Sequence, residues 1–167
     1  MATTTWDLIR KQFVGSTTQR GVLETLTPSL VADKPFRRVP RRNVSLRKWA
    51  QGSSVEFRAY EWRREGDVGE PEVFAGEILR RETGVLTVAY PIKGGLAIYG
   101  DEDLDAVEAL IRSDARQLRD ALLSPGNVIS GLHGIRPTIA SLDRADDAVW
   151  FQDIVCEVIY QEAEALT

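Results

Sequence analysis

The chain has 167 residues, 43% hydrophobic and 28% charged, with a formal net charge of −4 at pH 7. That length fits one domain able to bury about 70% of the surface its unfolded chain exposes, so neither a disulfide nor a metal is required for stability. The acidic balance sets the molecule as a whole against nucleic acid and anionic membranes, and a single cysteine, Cys156, excludes a disulfide scaffold. The first residues, Met1 to Thr5, lack the basic-then-apolar run of a signal peptide. No stretch approaches the roughly 20 apolar residues that span a bilayer, so no membrane partner is expected.

Trp6, Leu8, Ile9 and Phe13 recur at helical steps until Gly15-Ser16 interrupts them, which predicts an N-terminal helix. A second short helical piece is expected from Thr18 to Leu26, ending before Pro28. Pro35 and Pro40 then forbid a continuous helix and bias the residues before them toward extended geometry. Lys34, Arg37, Arg38, Arg41, Arg42, Arg47 and Lys48 crowd this stretch with no acid among them. Residues 34–48 therefore read as a basic extended arm or an edge strand.

Strand signals follow. Ser54 to Arg63 alternates, with Val55, Phe57 and Ala59 on one side and Glu56, Arg58 and Tyr60 on the other. Residues 65–71 form a loop by composition. Val73 to Arg80 and Val85 to Tyr90 are two further strands, expected to make a hairpin closing around Glu82-Thr83-Gly84, and Lys93-Gly94-Gly95 is a turn. The clearest helix spans about Asp101 to Leu123, with Leu104, Val107, Ile111, Leu118 and Leu122 on one face. Acids fill its first turns and arginines its last, which suits the helix dipole, and Pro125-Gly126-Asn127 stops it. A closing hairpin runs from Val128 to Leu142, turns at Asp143 to Asp147, and returns from Val149 to Gln161. Trp150, Ile154, Cys156, Val158 and Tyr160 share one face of that last strand. Its other face mixes apolar and charged residues, as in a sheet half-covered by a partner. Strands in runs with helices segregated predict a single α+β domain over 1–167, its mixed, mostly antiparallel sheet packed by the long helix and the N-terminal one.

The residues offer little for chemistry. Only His133 and Cys156 could supply soft metal ligands, whereas a structural zinc needs about four and a catalytic one about three; no cofactor is expected. His133 lies in a glycine-broken segment with nothing like a nucleophile elbow beside it, and reads as a loop or edge-strand histidine. Cys156, between Ile154 and Val158 on one strand face, reads as core. The glycines of Gly126-Asn-Val-Ile-Ser-Gly131 imitate a phosphate loop, but Leu132-His133 follows where lysine and a hydroxyl are needed, and the segment comes after a helix. The acids Asp101, Glu102, Asp103 and Asp105 are explained by helix-terminal electrostatics, and they lack an EF-hand's loop.

The basic arm reads best as a dock for an acidic protein surface, with a solvated arm or a phosphate contact as rivals. Aromatic interleaving is too thin for a single-strand stacking platform. Because Trp and Arg dominate binding hot spots, Trp49 beside Arg47-Lys48 and Trp62 beside Arg63-Arg64 are candidate partner contacts. Trp6 and Trp150 read as core.

The second half resembles the tail terminator (tail-completion) proteins of long-tailed bacteriophages, over roughly residues 85 to 162. The likeness lies in the order of a strand ending Thr87-Val-Ala-Tyr-Pro91, the acidic-to-basic helix, its stop at Leu123-Ser-Pro-Gly-Asn127, and the closing strand Trp150-Phe-Gln-Asp-Ile-Val-Cys-Glu-Val-Ile-Tyr160. The basic segment near 34–48 and the loop near 65–71 depart from the family's compact pattern. The resemblance implies a non-enzymatic virion protein, assembled in the host cytoplasm, whose six copies form a ring at the head-proximal end of the tail tube. Its partners would be other copies of itself, the tail tube protein and a neck or head-completion protein, with DNA passing transiently through the lumen. Under this reading Arg37, Arg38, Arg41, Arg42, Arg47, Lys48, Trp49 and Trp62 are interface candidates, and Asp101, Glu102 and Asp103 line the lumen, where they would repel DNA. A head-closure or neck adaptor is the nearest alternative. A small acid-dependent hydrolase and a regulatory nucleic-acid binder using the arm are the alternatives from other classes.

Overall fold

A computed structural model describes residues 8–16, 18–39, 44–65, 72–92, 104–123, 131–146 and 148–161. Its elements in chain order begin with a π-helical turn Arg10–Val14 and then α1 (Val22–Thr25), β1 (Arg37–Arg38), α2 (Leu46–Ala50) and β2 (Ala59–Glu65). β3 (Glu72–Phe74), β4 (Glu77–Pro91), α3 (Leu104–Leu123), β5 (Leu132–Ile139) and β6 (Val149–Gln161) follow. The strands form one sheet in the order β1-β2-β4-β6-β5, with β3 also on β4. β1 runs parallel to β2, and every other pairing is antiparallel. A mixed sheet packed by a long helix and a short N-terminal helical element is the expected α+β arrangement.

β4 organises the sheet. Leu79 pairs with Gln161 on one side and with Glu72 on the other, so β3 lies on the same side of β4 as β2. β2 pairs with β4 as far as Glu65↔Thr83, and β3 takes up the same side of β4 from Glu72↔Leu79. β2 and β3 thus both pair antiparallel with the same edge of β4. The fold-back is at Ala75-Gly76, where φ is 51° and 84°; positive φ at both central residues is what a type I′ hairpin turn requires.

This corrects the expected hairpin at Glu82-Thr83-Gly84, because β4 runs straight through those residues. Gly84 is needed for packing: a Cβ there would lie 2.4 Å from Cζ2 of Trp62, whose indole covers it from β2. The glycine marks a close approach across the sheet rather than a turn.

The sheet buries one face against α3 and the N-terminal segment. Tyr60, Leu86, Val88, Tyr90, Trp150, Ile154, Cys156 and Val158 meet Ile9, Phe13, Leu23, Val107, Leu110, Ile111, Leu118 and Leu122 in one apolar cluster. The stripe of α3 is the expected one except at Leu104, which is exposed; residues 101–103 lie outside the described set. β6 presents the expected apolar face. On the opposite face a smaller cluster gathers Leu46, Val55, Ala59, Ala89, Val149 and Phe151 under α2. The basic stretch is therefore not one extended arm. Arg37–Arg38 is an edge strand, whereas Arg47 and Lys48 sit on α2, whose N-cap Ser45 accepts from the Lys48 N–H.

Candidate functional site

The deepest polar group is an ion pair that also fixes where the basic segment runs. Arg58, at φ 61° just before β2, has no exposed surface, and neither has Asp114 on α3. Arg58 Nε and Nη2 donate to the two Asp114 oxygens at 2.6 and 2.9 Å. The remaining guanidinium N–H groups donate to the carbonyls of Leu30, Val31 and Lys34 at 2.6–2.8 Å. All five donors of the fork are thereby used. Tyr90 Oη adds a third donor to Asp114 at 3.0 Å, and the rings of Phe36 and Phe57 flank the guanidinium. Burial raises the Asp114 pKa above the usual carboxylate range, and Arg58 and Tyr90 offset only part of that rise. With donors on both oxygens, the carboxylate is the form this site accommodates. The cluster pins the 30–34 loop to α3 and so delivers the chain into β1.

The interface candidates divide. Arg37 is exposed and Arg38 half-buried, its N–H bonded to Glu24 Oε1 at 3.2 Å. Lys48 points to solvent. Arg47 is held within the molecule: it bridges Asp143 and Asp153 and lies 4.7 Å from the centre of the Phe151 ring. Trp49 is half-buried against the α2 cluster. Trp62 is 7% exposed in the main core over Gly84, which leaves little of its indole for a partner. Arg41, Arg42, Asp101, Glu102 and Asp103 lie outside the described residues.

The face of the sheet opposite α3 changes character beyond α2. There Val85, Val155 and Ile159 alternate with Arg63, Arg81, Arg136 and Glu157 in adjacent register positions. Val85 and its neighbours belong to neither apolar cluster; Val85 is itself buried, whereas Val155 and Ile159 are half-buried. Glu157 accepts from Arg81 and Arg136 at 3.4 and 3.3 Å, and Arg63 pairs with Glu61 at 2.8 Å. At the sheet edge, β5 carries Pro137 opposite Cys156. A proline without an N–H on an edge strand blunts the edge against strand addition.

Among the described residues no group of three or more His, Cys, Asp or Glu side chains could hold a metal, and no helix is long and apolar enough to cross a membrane. His133 is exposed on β5, 3.5 Å from Glu77. Cys156 is fully buried, and burial pushes its thiol up to about 12.

Sequence reading missed the Arg58–Asp114–Tyr90 cluster. A signal was present: Asp114 lies three residues after Ile111 and four before Leu118, inside the apolar stripe of α3. A lone carboxylate there demands a buried partner. No family model matches the chain, and no curated protein matches it.

Proposed function

We propose that this protein works by the surfaces it offers to neighbours, as a ring-forming assembly protein of the tail-terminator kind. The ring would sit at the head-proximal end of a phage tail tube and join it to the neck. The observation that carries the reading is the divided sheet face. Half is packed by α2, while the other half sets half-buried Val155 and Ile159 in a lattice of Arg63, Arg81, Arg136 and Glu157. A surface whose apolar rungs are spaced by fixed, paired charges suits a docking partner of matching pattern, since charges there set register more than affinity. Rings arise when unlike surfaces of one chain meet and the rotation closes.

The mechanism is then geometric. One face repeats the contact that tube subunits make with each other, and the opposite face refuses another tube subunit, so polymerisation stops.

The test is electron microscopy of the purified protein mixed with its own tail tubes, where rings are expected at one tube end. Particles assembled without the protein are expected to carry overlong tails; heads that leak DNA would instead assign it to head closure. Turnover of a small molecule that disappears with one acidic or imidazole side chain would overturn the reading and favour the hydrolase.

A further inference from the structure

We infer that residues 29–35 are a strained strap that opens as a unit while the domain stays folded, with Arg58 as its catch. The strap runs between two buried residues, Pro28 and Phe36. Between them Val31 and Pro35 are half-buried, and Ser29, Leu30, Ala32, Asp33 and Lys34 are exposed. Apolar burial therefore does little to hold this segment down. Such segments open at free energies below that of global unfolding.

Its hold is polar. Arg58 donates to the carbonyls of Leu30, Val31 and Lys34 at 2.6, 2.8 and 2.6 Å. Within the strap, the Lys34 N–H donates to the Val31 carbonyl at 3.1 Å. Just upstream, Gln117 Nε2 donates to the Thr27 carbonyl at 2.6 Å and fixes where the strap begins.

The strap is also strained. Val31 has φ 50°, in the left-handed region, where a β-branched residue is an outlier. Arg58 has φ 61°. Among the described residues the third non-glycine at positive φ is Ala75, whose hairpin turn requires it. The other two are joined directly, because the Val31 carbonyl accepts from Arg58. Strain of this kind persists only where the surroundings enforce it, and here the fork enforces it.

Opening exchanges one set of costs for another. Val31 leaves the left-handed region, the three carbonyls turn to water, and the fully buried Arg58 and Asp114 gain solvation. Leu23 and Phe36, at 0% and 1% exposed, stay in the core, so the domain remains folded. β1 follows Phe36 directly and joins the sheet through two parallel pairs. The catch thus also limits how far the edge strand that carries Arg37 and Arg38 can shift.

The experiment is native-state proteolysis of the full chain by thermolysin, scored as cleavage at Leu30 across low urea concentrations. Each rate is corrected by that of the matching unfolded peptide. Wild-type cleavage is expected to stay flat below the unfolding transition, because a local opening exposes little surface. Val31→Ala and Val31→Gly both lose the valine packing and differ in their tolerance of positive φ. The alanine variant is expected to be cut about fivefold faster or more, from the cost of left-handed backbone at a residue with a Cβ. Arg58→Lys keeps the charge and loses the fork, and is expected to raise cleavage about tenfold or more. Where Arg58→Lys fails to fold, as circular dichroism would show, the Val31 pair alone decides.

Cleavage that climbs with urea in parallel with global unfolding overturns the strap. So do equal rates for the alanine and glycine variants, or a wild type that resists cleavage at Leu30. None of these outcomes bears on the ring reading, which stands on the sheet face.

Discussion

Replacing Asp114 with asparagine isolates the buried ion pair. The amide keeps the shape of the carboxylate but removes the charge that faces Arg58 and turns an acceptor into a donor against Arg58 or the Tyr90 hydroxyl. Breaking a buried pair by neutralising one partner costs about 3–5 kcal/mol, because the other charge stays buried without compensation. A domain of this size has about 5–15 kcal/mol of total stability, so the loss is a large fraction of the whole. At about 2–4 °C per kcal/mol it corresponds to a fall in Tm of about 6–20 °C. Urea unfolding followed by far-UV circular dichroism measures it, and the m-value should be unchanged.

An Arg58→Met/Asp114→Leu double variant adds a second constraint. Removing both charges relieves the desolvation problem, but the carbonyls of Leu30, Val31 and Lys34 lose their donors, each at about 1–3 kcal/mol if it stays buried. The double variant is therefore expected to remain well below wild type. A loss under about 1 kcal/mol for Asp114→Asn, or a double variant as stable as wild type, would refute the view that this fork anchors the 30–34 loop.

Gly84→Ala is expected to cost about 1–3 kcal/mol and to shift the tryptophan emission, since the new methyl displaces the Trp62 indole; an unchanged melt would mean that Gly84 does not sit under the ring. Stability should also decline at alkaline pH. The Cys156 thiol is held at about 12 in the fold against 9.0 in the open chain, so its contribution is complete below pH 9 and is lost as pH rises from there toward 12. Tyr160 adds a loss in the same direction between 10 and about 12, from burial and its hydrogen bond to Glu82. The slope reaches about 1.4 kcal/mol per pH unit for each group while only the unfolded chain has lost its proton. Urea midpoints between pH 8.5 and 10.5 should therefore fall less steeply for Cys156→Ala than for wild type, and parallel curves would contradict this account.

Periodicity and punctuation in the sequence determined the elements whose signals are local. The 3.6-residue stripe of Val107, Ile111, Leu118 and Leu122 marks α3. The alternation from Trp150 to Tyr160 marks β6, and the absence of more than one cysteine or histidine removed most metal and disulfide readings. Each of these depends on a chain segment meeting a single apolar surface, which its own residue pattern records.

Tertiary structure decided what depends on a distant neighbour. Gly84 looks like a turn until Trp62 is placed over it, and Ala75-Gly76 proves to be the turn because the register of β3 on β4 leaves only those two residues to reverse the chain. Arg47 looks available for a partner until folding brings Asp143 and Asp153 to it from about a hundred residues away. Arg58 alternates like any surface strand residue, yet its five donors meet an acid 56 positions along the chain and three carbonyls of an upstream loop. Sequence patterning records how much of a segment is buried, because burial repeats with the local period. It does not record which side chain answers a buried charge, because that pairing is fixed only when the sheet and helix close on each other.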